Sequence, residues 1–175
     1  MANKEALREL QTRLAQRMQV ARNEPAAHAW LAVESAGQGL LLPLEQAGEI
    51  FNAGRILAVP HTRAWFAGVA NLRGGLHGVV DLAVFLGLRA RGVHDHGSEG
   101  ARLVALNPSL GVNSALLVDR LAGLRHQNEL AERVDEAAQR PGFAGTRWLD
   151  KAGRPWQEIK LAALAADMQF LAIAA

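Results

Sequence analysis

The 175-residue chain has no cysteine and no tyrosine, and aromatic residues make up only 5% of it. Without cysteine it has no disulfide framework and no thiolate metal site, which fits a reducing cytoplasm. No uncharged apolar run reaches the roughly 18 residues that a transmembrane helix needs, and the closing MQFLAIAA is too short to span a bilayer. The N-terminal stretch is charged throughout, unlike a signal peptide. No direct membrane insertion is expected. Charge of one sign is also scarce: the formal net charge is +2. The pI of about 9.7 arises because most basic residues are arginine, so a small excess lifts it. The basic residues are scattered, whereas nucleic-acid binders cluster them on one face and interleave aromatics when they bind single strands. A small β-barrel that binds nucleic acid is therefore the alternative reading, not the leading one.

Catalytic and cofactor signatures are missing too. There is no G-x-S-x-G elbow, no G-x-x-x-x-G-K-[ST] loop and no G-x-G-x-x-G fingerprint. The nearest approach to a metal site is His94-Asp95-His96, but zinc wants three or four converging ligands and no other His or Asp lies close in sequence. On one strand His77 and Asp81 would share a face about 13 Å apart, too far for a direct hydrogen bond. Neither an enzyme nor a metal or nucleotide cofactor is expected.

What is present is a patterned, largely aliphatic chain. Residues 3–22 read as an amphipathic helix, with Leu7, Leu10, Leu14, Met18 and Ala21 on one stripe, acidic residues early and arginines late, and Pro25 just past its end. This defines an N-terminal helical segment, 1–25. From Ala29 onward, short aliphatic runs split by Gly37, Gly39, Gly48 and Gly54 indicate strands. GVANLRG and GLHGVVDL read as two strands around a Gly74-Gly75 turn. LAVFLG reads as a short helix that Asp81 can cap. LRARGVHDHGSEGA reads as an exposed loop. ARLVALN, NSALLVDRLAGLRH and RPWQEIKL are further strands. In LAALAADMQFLA, residues Leu161, Leu164, Met168 and Leu171 fall on one face of a closing helix.

In ILAVPHTRAWFAGVANLRGGLHGVVDLAVFLGL several elements occur in a fixed order: Pro60, Trp65, Gly68-Val69, Asn71, Arg73-Gly74, Val80-Asp81-Leu82 and Phe85-Leu86-Gly87. This order and spacing resemble the signature of CheW-like domains. LLLPLEQAGEIF, with Glu49-Ile50, and NSALLVDRLAGL, with Val118-Asp119, extend the resemblance, as does RPWQEIKLAALA. Three positions depart from the family pattern. Gly78 stands where a proline is usual, Ala115 where a glycine is usual, and Lys160 where an aspartate is usual.

The resemblance implies one domain over 28–175. Its fold would be mainly β: two five-stranded β-barrels around a shared apolar core, with an N-terminal helix and a C-terminal helix. It implies a non-catalytic, cytoplasmic signalling adaptor recruited to membrane receptor arrays. Its partners would be the regulatory domain of a CheA-type histidine kinase and the tip of a methyl-accepting chemoreceptor. The N-terminal helix and the wording GVANLRG…VDLAVFLG are most similar to the branch of the family that serves type IV pili and twitching motility. Partner binding would fall to Arg73, Asn71, Gly74 and Glu49, with an Arg73–Glu49 ion pair shaping the surface. Val69, Leu72, Val79 and Leu117 would line an apolar groove between the barrels that takes the receptor tip.

Overall fold

The computed structural model describes residues 28–90, 100–133 and 140–175, with backbone alone at 132 and 133. The N-terminal helix lies outside these residues, as does the loop at His94–Gly100 apart from Gly100. Eleven strands are described, in two sheets. The first carries β1 (Ala29–Ser35), β2 (Gln38–Pro43), β8 (Arg120–His126), β9 (Leu130–Arg133), β10 (Ala144–Asp150) and β11 (Pro155–Ile159), in the order β8-β1-β2-β11-β10-β9. The second carries β3 (Ala47–Asn52), β4 (Phe66–Leu72), β5 (Gly75–Asp81), β6 (Arg102–Leu106) and β7 (Ser114–Val118), in the order β3-β6-β7-β5-β4. Two pairings are parallel, β2 with β11 and β5 with β7. The sheets therefore have six and five strands, not five each. The sixth strand is β9, which no glycine-bounded aliphatic run announces.

Strict alternation explains why the strands read as unbroken apolar runs. In β1, Trp30 and Ala32 face a cluster with Leu41, Trp148 and Trp156, while Leu31 and Val33 face the large core between the sheets. In β7, Ala115 and Leu117 face a second enclosed cluster with Leu72, Val79 and Leu103, while Leu116 and Val118 join the large core. Successive side chains on a strand point to opposite faces, so a sheet buried on both sides must be apolar at every position. The scarce aromatics concentrate accordingly. Three tryptophans fill the inside of the first sheet. Trp65, Phe85, Phe143 and Phe170 meet between the sheets, with Trp65 stacked on Phe170 at 6.3 Å and edge-on to Phe85 at 5.3 Å.

The helices are short. α1 (Leu82–Phe85) starts at Asp81, whose side chain accepts from the Val84 N–H, as the capping pattern predicts. The closing helix is two pieces, α2 (Leu161–Ala165) and α3 (Met168–Leu171). Asp167 breaks them apart by capping α3, accepting from the N–H groups of Gln169 and Phe170. The single apolar stripe is lost as a result: Leu161 and Leu164 are buried, Met168 is 80% exposed, and Phe170 takes the inward place. Lys160 precedes α2 and offers no side-chain cap. Gln46 substitutes from another strand connection, its Oε1 accepting from the Ala162 N–H at 3.0 Å.

Two departures from the family pattern have local causes. Gly78 donates its N–H to the Asn113 carbonyl at 3.0 Å, a bond that proline could not make. Ala115 is fully buried inside the second sheet. The glycine of the G-V pair has a sharper role. Leu57 and Val69 exchange both backbone hydrogen bonds at 2.8 Å. Gly68 sits at φ +139, where any Cβ would run into the Leu57 carbonyl. The segment from Pro60 to Trp65 is a pair of tight turns. Gly68→Ala should therefore lower stability by at least about 2 kcal/mol, a cost set by steric overlap and backbone strain. Leu76→Ala, at a side chain 64% exposed, should stay within about 0.5 kcal/mol. Urea midpoints of the two variants measure the difference.

Candidate partner-binding site

The signature residues divide between the two ends of the β4–β5 hairpin, with Asn71, Arg73 and Gly74 at its turn and Trp65, Val80, Asp81 and Leu82 at the other end. β4 and β5 form a two-residue hairpin in which Leu72 pairs with Gly75, so the turn is Arg73-Gly74 and not Gly74-Gly75. Both turn residues have positive φ, +49 for Arg73 and +84 for Gly74. That is the backbone of a type I′ turn, which matches the strand twist and favours Asn-Gly. Asn71 supports it through Oδ1, which accepts from the Gly74 N–H at 2.8 Å. A Cβ at Gly74 would meet nothing, so this glycine serves the left-handed backbone and not a close approach.

The Arg73 guanidinium reaches back to Glu49 on β3 at 2.6 Å. β3 and β4 are the two ends of the sheet's hydrogen-bonded order, so this ion pair joins the edges and closes the sheet on itself. The Arg73 side chain is 76% exposed and that of Glu49 43%.

The aliphatic candidates lie elsewhere. Val79 and Leu117 are fully buried and Leu72 is 8% exposed, all three inside the second sheet. They are barrel core and line no surface groove. Alternation sends them inward, because each sits on the enclosed face of its strand. Val69 is half-buried against the core between the sheets. One groove-like surface among the described residues is instead a cleft of about 510 Å³. One wall comes from the first sheet, with Gln38 and Gly39 at the start of β2 and Trp156 and Ile159 on β11. The facing wall is Phe85, Leu86 and Leu88, from α1 and the turn after it, which hang from β5.

Two charged clusters frame this cleft. Arg89, whose side chain is only 11% exposed, forks onto both oxygens of Asp81 at 2.9 and 3.0 Å and onto Asp119 at 2.7 Å. Burial opposes the guanidinium's charge, but hydrogen bonds to Asp119 and Asp81 outweigh it and raise its pKa above the ordinary value. Asp119 is the crossing point from β7 in one sheet to β8 in the other, within a segment that reads as one continuous strand. Its second oxygen accepts from the Ala36 N–H at 2.7 Å. The other cluster centres on Glu34, buried on β1 and paired with Arg120 at 2.7 Å and Arg154 at 2.6 Å. Arg154 also lies over the Trp156 ring, 4.7 Å from its centroid. Sequence patterning missed Arg89 and Glu34. The signal for Arg89 is a charge set between apolar residues, Leu88 and Ala90, and for Glu34 a charge near the end of an apolar strand.

Among the described residues no group of three or more metal-ligating side chains converges. His94, Asp95 and His96 lie outside those residues. His77 bonds locally, its Nδ1 3.1 Å from the Gly75 carbonyl.

A model of the CheW-like domain matches residues 29–168. The chain belongs to the CheW-like domain family. Against Protein PilI of Pseudomonas aeruginosa it is 28% identical over 157 residues, covering 86% of this chain and 84% of PilI. The crystal structure of the scaffolding protein TtCheW from Thermoanaerobacter tengcongensis superposes with a TM-score of 0.64 at 21% identity, over 79% of this chain and 88% of that one, and so shares the fold. This CheW-like chain is mainly β. No helix among its described residues is long and apolar enough to cross a membrane.

The Glu34 cluster makes the CheW-like domain's stability depend on pH. Burial alone would raise this carboxyl, but hydrogen bonds and charge from Arg154 and Arg120 hold it below the ordinary 4.5. A group with a lowered folded pKa adds stability that is fully present above the unfolded value and is lost as pH falls through the folded one. Glu34→Gln should therefore be less stable than wild type at neutral pH, with the gap narrowing as pH drops below 4.5. Urea midpoints across that range check it, and a gap that stays constant would show that Glu34 does not carry the effect.

Proposed function

We propose that the chain is the adaptor of a pilus chemosensory system, coupling a methyl-accepting chemoreceptor tip to the regulatory domain of a CheA-type histidine kinase. Its output is control of type IV pili and twitching motility, and it works in the cytoplasm at membrane receptor arrays. The observation that carries this reading is the match to PilI along 84% of that protein, on top of family membership.

An adaptor needs two separate surfaces, and two separate candidates support the reading. One is the cleft between the first sheet and α1, whose apolar floor and polar rim suit the receptor tip. The other is the Arg73 hairpin, which contributes no residue to the cleft. Arg73 occupies a left-handed position where asparagine or glycine would be easier. An ion pair this exposed contributes at most about 1 kcal/mol, so stability does not account for keeping arginine there. A guanidinium fork can hold Glu49 and still donate to a partner. Among the described residues, Arg73, Arg89, Arg120 and Arg154 are each paired with carboxylates, which weighs against the nucleic-acid alternative.

Binding of the full chain to a CheA-type regulatory domain and to a receptor tip fragment, measured by calorimetry, tests the reading. Binding to neither would overturn it. Within that assay Arg73→Asn should melt no lower than wild type, because asparagine tolerates positive φ. It should lose about 2 kcal/mol of affinity for one partner, roughly thirtyfold. Lys151→Ala, on the exposed β10–β11 turn, is the control and should bind normally. Equal affinities in the two variants would make Arg73 structural only.

A further inference from the structure

We propose that Arg89 is the positioning residue of the cleft: by bridging Asp81 and Asp119 it fixes the separation of the two walls. The wall formed by α1 and its following turn starts from Asp81, which caps α1, and ends at Leu88, the neighbour of Arg89 itself. The opposite wall begins at Gln38 and Gly39, two and three residues beyond Ala36. Asp119 holds the Ala36 N–H at 2.7 Å and donates its own N–H to the Glu34 carbonyl at 2.9 Å. A single guanidinium therefore ties the root of each wall, through one carboxylate apiece, at 2.7 to 3.0 Å.

A planar fork with two separate donor nitrogens can serve both carboxylates at once, whereas an ammonium is a point charge that serves such a pair poorly. Arg89 lines no part of the cleft, so it acts on an occupant only through the walls. Its effect on receptor affinity rests on the reading of the cleft as the receptor dock. Its effect on wall separation does not.

The absence of cysteine makes a direct test clean. Nitroxide labels on Gln38→Cys and Leu88→Cys, one on each exposed lip, report the wall-to-wall distance distribution in the full chain. Arg89→Lys should broaden that distribution and shift it. Leu103→Ala, which opens a cavity inside the second sheet away from both walls, should lower stability and leave the distribution unchanged. In unlabelled chain, Arg89→Lys should weaken binding of a receptor tip fragment about tenfold, within the range for residues that modulate a site without touching its ligand.

If Arg89→Lys does not fold, Asp119→Asn, which weakens one arm of the bridge, takes its place with the same expectations. An unchanged distribution in the folded variant would overturn the proposal whatever the affinity. A changed distribution with unchanged tip affinity would support Arg89 as the positioning residue and remove the receptor from the cleft.

Discussion

The two sheets of this domain share one chain and one core, but apolar packing is non-directional and does not by itself set their angle. The Arg89 bridge does. It joins the end of β5 to the point where the chain leaves the second sheet for the first, and Asp119 passes the constraint on to the β1–β2 turn. Partly buried charges of this kind are costly to desolvate and add little net stability as a complete set. Removing one partner from a buried set is different, because it strands the others at about 3–5 kcal/mol. The clamp is better understood as a device for specificity. It makes one relative placement of the sheets much better than its neighbours, and the cleft inherits its shape from that placement.

The distribution of aromatic residues serves the same end. Large flat side chains fill space that aliphatics would leave uneven, and edge-on or offset pairs contribute about 0.5–1.5 kcal/mol beyond their burial. Most of the few available fall into two groups. Trp30, Trp148 and Trp156 fill the inside of the first sheet. Trp65, Phe85, Phe143 and Phe170 pin α1 and α3 against the loop that enters β10. Leu and Val do the remaining work by volume.

Much of this was legible in the residues. The glycine-split aliphatic runs located most strands. The Asp81 cap located α1, and the Arg73–Glu49 ion pair followed from family resemblance. What failed did so for identifiable reasons. In a sheet buried on both faces every position is apolar, so hydrophobicity could not separate Leu117, which faces inward, from Leu116, which faces the core between the sheets. Groove and core were confused as a result. The segment NSALLVDRLAGLRH looked like one strand because its sheet-switching residue, Asp119, is a charge whose partner lies 30 residues away. Met168 and Leu171 fitted a helical stripe, and only the competing cap at Asp167 shows why they do not share it. Arg89 was invisible for the same reason as Asp119: its role exists only in three dimensions.

The second sheet is nested in the sequence of the first. All of its strands lie between Ala47 and Val118, while the first sheet opens with β1 and β2 and is not complete until Ile159. β11 closes it by lying parallel to β2, pairing Trp156 with Gly39 across more than a hundred residues. During synthesis the inner sheet therefore has every strand available before four of the outer sheet's six have been made. β1 and β2, apolar on both faces, must wait for partners that the ribosome supplies last, and long-range pairing of this kind is slow to form. The covalent order thus imposes an order of completion, and the outer sheet, with the Glu34 cluster and one wall of the cleft, is completed only after the inner one.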